Sequence, residues 1–168
     1  QVLEIGLGTG LNAFLTAQVA KENSCAIDYT AIEAYPITPN EAAQLNLSSN
    51  LSAEDANLFS HIHDLPWESM EILSVQIRLR KLEAKLENWQ PEQQFDLIYF
   101  DAFAPAAQPE LWTADIFQKL FEASSSGAVL VTYCVKGVVR RAMQSAGWVV
   151  NKIPGPPGKR EITRAIRP

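Results

Sequence analysis

An α/β, doubly wound fold with a mostly parallel seven-stranded sheet and a C-terminal antiparallel hairpin is what this 168-residue sequence predicts. Three observations carry it. The stretch "VLEIGLGTGLN", residues 2 to 12, reads as strand, tight turn and helix start. Apolar runs of strand length then alternate with stripes at helical spacing along the chain. Finally, two short strands close the sequence, joined by "PGPPGKRE", whose prolines and glycines force a stiff loop.

The elements follow in order. Val2 to Ile5 is the first strand, and Leu11, Phe14, Leu15 and Val19 give the first helix its spacing. Ile27 to Glu33 is a second strand, stopped by Pro36. Thr38-Pro39-Asn40-Glu41 reads as a capping box with proline at the first helical position, and Ser52 starts a further short helix toward Phe59 and Ile62. Val75, Ile77 and Leu79 alternate with Gln76, Arg78 and Arg80, a strand with one wet face near the sheet's edge, after which "KLEAKLENW" reads as a wet helix face. The denser run Phe95 to Phe100 belongs at the centre. Thr113 precedes a helix striped by Ile116, Phe117, Leu120 and Phe121, and Gly127 introduces the strand Ala128 to Tyr133. The helix Val138 to Ala146, closed by Gly147, leads to the last strands, Trp148 to Ile153 and Ile162 to Ile166.

Length and 47% hydrophobic content fit one domain over residues 1–168 with a core that needs no metal or disulfide. The absence of Met at position 1, with a strand beginning almost at once, raises the expectation that a natural N-terminal segment is missing. No apolar run approaches the ~20 residues of a membrane span, so the sequence reads as soluble and cytoplasmic. Cys25 and Cys134 read as small buried hydrophobes. His61 and His63, two apart on a helix end, diverge and read as surface residues, so no metal site is expected. The four tryptophans read mainly as packing, Trp112 least firmly. Net charge is -5, yet residues 136–168 carry eight basic side chains against Glu161 alone, a local +7. Such polarity can attract a polyanion, or simply make a solvated surface.

In a doubly wound sheet ligands sit beyond the carboxyl ends of the strands, beside the switch point, and the glycine turn lies there. Gly6, Gly8 and Gly10 follow Glu4 as E-x-G-x-G-x-G, one residue short of the dinucleotide fingerprint. The turn is either structural or a place where a ligand meets bare backbone. Glu33 ends the second strand, where a carboxylate can accept from both hydroxyls of a ribose and would repel a 2'-phosphate. In "FDLIYFDAFAPAAQPELWT" a buried strand delivers Asp101 to its carboxyl end, ahead of Phe103, Ala104 and Pro105. Such an acid can orient an amine and take its proton, or merely cap a turn.

The pattern from Glu4 to Asn12 resembles that of S-adenosyl-L-methionine (SAM) enzymes. With "EAYP" at Glu33, the "DAFAP" block, "VTYCVKGVVRRAMQSAGW" and "GPPGKREITRAI", nearly the whole chain resembles the methyltransferase of the MnmC type. That family methylates the aminomethyl group of wobble uridine in certain tRNAs. The resemblance implies a Rossmann-like class I fold, with SAM on Glu4, Gly6, Gly8, Gly10, Asn12 and Glu33 and its methionine carboxylate near Asn12. It further implies Asp101 facing the substrate amine, Phe103, Ala104 and Pro105 lining the uridine pocket, and Lys136, Arg140, Arg141, Lys159 and Arg160 facing the tRNA anticodon loop. A flavin-dependent oxidase, separate or fused, would act upstream. Where similar sequences carry an acid for the adenine, this one has Lys85, so either Glu83 substitutes through a shifted register or adenine is held less specifically. The alternative functions are N-methylation of another amine and an inactive SAM- and tRNA-binding module.

Overall fold

The computed structural model describes residues 1–45 and 51–168. Its sheet has eight strands in the order β3-β4-β2-β1-β5-β6-β8-β7. The strands are β1 (Val2–Ile5), β2 (Ile27–Glu33), β3 (Met70–Ile72), β4 (Ile77–Glu83), β5 (Phe95–Phe100), β6 (Ser124–Thr132), β7 (Val149–Pro154) and β8 (Glu161–Ile166). The helices are α1 (Leu11–Asn23), α2 (Pro39–Ala43), α3 (Ala53–Asp64), α4 (Ala114–Glu122) and α5 (Gly137–Ser145). Strands β4, β2, β1, β5 and β6 run parallel, while β8 is antiparallel to both β6 and β7. The expected class I Rossmann-like architecture, hairpin included, is therefore present.

The period-2 pleat sorts β1 between two cores. Leu3 and Ile5 point to the layer built with Phe117 and Leu120 of α4 and Met143 of α5. Val2 faces the other layer, with Phe14 and Ala17 of α1 and Ile62 of α3. In the first layer Phe100 meets Trp112 edge-on at 4.9 Å and Phe117 at 5.2 Å. Burying such rings is worth roughly 1.5–3 kcal/mol each, enough to fix how β5 lies under α4. Thr113 caps α4 at the Ile116 N–H, and the Thr38–Glu41 capping box is formed as expected.

Several expectations are corrected. The seven expected strands are joined by Met70–Ile72, an antiparallel edge strand too short to show a period, so β4 lies second from the edge. Val75 is 95% exposed in the turn before β4. The "KLEAKLENW" stretch is not a helix: Lys81–Glu83 finish β4 and the rest is loop with a turn at residues 86–88, and Lys81 is buried, donating to the Ile62 and His63 carbonyls at the end of α3. Helix α1 buries Ala13, Phe14, Ala17 and Ala20, leaving Leu11, Leu15 and Val19 exposed. Its small residues let the helix lie close to the sheet. Cys25 is exposed, whereas Cys134 is buried. His63 is half-buried, its Nε2 3.1 Å from the Thr9 carbonyl oxygen. All four tryptophans pack inside or against protein; Trp67 lies under the Lys81 ammonium, 4.9 Å from ring centre to Nζ. Among the described residues no helix is long and apolar enough to cross a membrane.

One polar side chain stands out in the core. Glu4 is fully enclosed between α1 and β2, with Oε2 accepting from the Tyr29 hydroxyl at 3.0 Å. Burial raises its pKa to about 8, against the pull of hydrogen bonds from Asn12 and Tyr29. The folded chain thus keeps a proton that the unfolded chain releases from about pH 4.5, so Glu4 makes stability fall as pH rises toward 8. In urea titrations at pH 5, 6.5 and 8, Glu4→Gln is expected to gain on wild type as pH rises, by a few kcal/mol at most. A difference that stays constant across that window contradicts the assignment.

Candidate active site

The carboxyl ends of β1, β2, β4 and β5 surround a cleft of about 260 Å³. It lies where the chain turns from building β2 and β4 on one side of β1 to building β5 on the other, the switch point of a doubly wound sheet.

The glycines of the β1–α1 turn have different reasons. At Gly6 (φ +87°) an added Cβ would lie 2.9 Å from the Asp101 carbonyl oxygen, so this glycine lets β1 and β5 close side by side. Gly10 is pressed against Ile62. Only at Gly8 (φ +50°) does the missing side chain leave open space, and that space belongs to the cleft. The Gly8 N–H donates to Glu33 Oε2 at 3.0 Å, and the Tyr35 N–H donates to Oε1 at 2.9 Å. Two backbone donors therefore fix the carboxylate at the tip of β2, each oxygen keeping a lone pair for further donors.

Asp101, just past β5, is exposed to the cleft on one side and crowded on the others. That crowding raises its pKa above the ordinary carboxylate range, opposed by the hydrogen bond from Asn12 and by the charge of Lys159. Asn12 Nδ2 lies 3.0 Å from Asp101 Oδ2 and 2.8 Å from Glu4 Oε1. The segment after Asp101 is braced by three side chains. Tyr133 Oη donates to the Ala102 carbonyl at 2.9 Å, and Trp112 Nε1 donates to the Phe103 carbonyl at 2.9 Å. The Gln108 side chain accepts from the Phe103 N–H at 3.1 Å. Phe103 is left 69% exposed at the cleft wall.

The sequence-predicted residues divide accordingly. Gly6, Gly8, Asn12, Glu33, Asp101 and Phe103 line the cleft together. Glu4 lies beneath it, and Gly10, Ala104 and Pro105 do not line it. Glu83 is outside the lining, which instead takes Lys85, Leu86 and Glu87, so the structure does not bring Glu83 in through a shifted register.

Lys159 stands over the Tyr133 ring at 4.8 Å, beside the Asp101 tip, and Arg141 folds back on the start of α5 near Gly137. Lys136 and Arg140 belong to the same helix start. Lys152 bonds Glu161 at 2.8 Å, and the charges of Arg160 and Arg140 also reach that carboxylate. The basic tail is not one uniform face: Arg167 packs on Phe121 and donates to the Ser124 carbonyl. Sequence reasoning missed Tyr35, Gln108 and Leu111 in the lining. Tyr35 adjoins Glu33 and was within reach of a local reading. Lys119 was not: it crosses from α4 to hold the carbonyls of Leu86, Glu87 and Trp89, fixing the loop on the far side of the cleft.

Comparison with known proteins agrees with this geometry. Residues 46–168 match the family model described as S-adenosyl-L-methionine-dependent methyltransferase. The chain is 33% identical over 173 residues to the tRNA 5-methylaminomethyl-2-thiouridine biosynthesis bifunctional protein MnmC of Nitrosospira multiformis, covering 98% of this chain and 28% of that protein. Against the protein of the same name from Aromatoleum aromaticum it is 32% identical, over 97% of this chain and 27% of the other. The chain thus spans little more than a quarter of these curated relatives. Among solved structures, MNMC2 from Aquifex aeolicus superposes with a TM-score of 0.73 at 20% identity, over 98% of this chain and 52% of that one. A spermidine synthase bound to the transition-state analogue AdoDATO superposes at 0.58 with 16% identity, over 99% of this chain and 52% of that one. The glycine turn, the strand-tip acid and the family match agree: this chain belongs to the S-adenosyl-L-methionine-dependent methyltransferases, with SAM as its cofactor.

Proposed function

We propose that the chain, acting as one domain, transfers a methyl group from SAM to the 5-aminomethyl group of wobble uridine in tRNA, giving 5-methylaminomethyl-(2-thio)uridine. The observation that carries this reading is Asp101, a carboxylate facing the cleft from a braced strand tip with exposed Phe103 beside it. The names of the curated relatives support the choice of substrate.

The residues fit the cofactor. Open space at Gly8 accepts a group that a side chain would fill, and the fixed Glu33 carboxylate offers free lone pairs to a ribose diol. When bound, SAM supplies an electrophilic methyl on a sulfonium. Asp101 accepts a hydrogen of the acceptor amine, points its lone pair along the line of attack, and takes the proton once the N–C bond has formed. Exposed Phe103 offers a face on which an extruded base can stack. Beyond it, Lys136, Arg140, Arg141, Lys159 and Arg160 supply the positive field for the phosphates of an anticodon loop. An oxidase producing the primary amine would act before this step.

For Asp101→Asn, methyl transfer to tRNA bearing the aminomethyl group is expected to drop a hundredfold or more, with the Kd for SAM within about twofold of wild type. Loss of both together would move Asp101 into the cofactor site. No transfer by the wild-type chain to that tRNA, with transfer to a small amine instead, would overturn the substrate assignment. Binding of the tRNA should weaken with salt. Replacing Lys136 and Arg141 by Ala together should lower the slope of log K against log[salt] by about 1–2. An unchanged slope would remove them from the interface.

A further inference from the structure

Glu4 has no access to the cleft, yet it is tied to it. Its Oε2 accepts from Tyr29 and its Oε1 from Asn12, and the second hydrogen of the same Asn12 amide reaches Asp101 Oδ2. Thr16 Oγ1 donates to the Asn12 backbone carbonyl at 2.7 Å, holding the first turn of α1 in place. The amide has two hydrogens and both are committed to carboxylates, so Asn12 has no side-chain donor left for the methionine carboxylate of a cofactor.

We propose that Glu4 is a positioning residue and not a cofactor ligand: anchored by Tyr29, it fixes Asn12, and Asn12 fixes the Asp101 carboxylate so that Oδ1 faces the cleft. The proposal rests on the reading in which Asp101 meets the acceptor amine. A carboxylate held at one oxygen loses rotation about its last bond and presents the other oxygen in one direction, as in-line methyl transfer demands.

Charge supports the geometry. An amide bridging two anions would be strained by their repulsion, and burial settles the matter by leaving Glu4 protonated until about pH 8. The titratable groups facing Glu4 are Tyr29 on β2, Asp101 past β5 and Glu33 at the tip of β2, with Tyr99 paired beside it on β5. None of these is a cation, and the positive charge that acts on Asp101 is that of Lys159 on the β7–β8 loop. Ionisation of Glu4 adds a negative charge on the other side of Asn12, so Asp101 then holds a proton more tightly against the pull of Lys159.

Carboxyl 13C NMR of the full chain, without ligand or substrate, reads this directly. In wild type the Asp101 Cγ signal is expected to show two inflections, its own and a second near pH 8 that coincides with the Glu4 Cδ titration. Glu4→Gln, close to isosteric, should abolish the second and keep the first, and Asn12→Ala should shrink it by more than half. The proposal is overturned by Glu4 titrating in the ordinary carboxylate range, by an Asp101 signal blind to Glu4, or by an upper inflection that survives in Glu4→Gln. In turnover with the aminomethyl tRNA, Glu4→Leu should lower kcat about tenfold with KM for SAM within twofold, and Glu4→Gln should restore most of kcat. An equal change in kcat and KM would return Glu4 to the cofactor site. A tRNA inert even with wild type counts against the function reading alone, while the carboxyl signals still decide this one.

Discussion

The close approach of β1 to β5 at Gly6 is the constraint on which the site depends. The backbone of Gly6 lies so near the Asp101 carbonyl that a Cβ would sit 2.9 Å from its oxygen, and its N–H is held by the Ile32 carbonyl at 2.9 Å. Three strand ends are thereby brought to one point. Each delivers one piece: β1 the bare turn, β2 the Glu33 carboxylate, β5 the Asp101 carboxylate. A side chain at position 6 would wedge the outer two apart and separate the Glu33 carboxylate from the Asp101 carboxylate.

Around that point the charges are graded. Glu4, Glu33 and Asp101 form an acidic centre, and each is controlled differently. Burial keeps Glu4 protonated to about pH 8, two backbone N–H groups hold Glu33, and Asn12 with the Lys159 charge restrains Asp101. Of the bases, Lys159 in the β7–β8 loop stands over Tyr133, whose hydroxyl bonds the Ala102 carbonyl next to Asp101.

The parallel order, the terminal hairpin and the caps were legible in the sequence because they rest on local signals: the period of the apolar pattern, Thr38 with Glu41, and the prolines after Ile153. The glycine turn, Glu33 and Asp101 were legible because strand ends can be located without knowing the packing. What escaped depends on contacts between distant segments. Lys81 looked like part of a wet surface, but it is buried, with its ammonium answered by the carbonyls that end α3. Met70–Ile72 becomes a strand only because β4 offers an edge. Glu4 is marked by its place in the motif, but its burial under α1, with its carboxyl bonded to Asn12 and Tyr29, depends on how α1 and β2 pack on β1. Lys119 carries no local sign that it will fix the loop opposite.

The most direct test of this arrangement is a crystal structure with S-adenosylhomocysteine bound. The ribose hydroxyls are expected on Glu33, the adenosine against the open side of Gly8, and the sulfur turned toward Asp101 Oδ1, with Asn12 still bridging Glu4 and Asp101. A ligand seated elsewhere, a Gly8 cleft filled by protein, or an Asp101 turned away from the sulfur would contradict it.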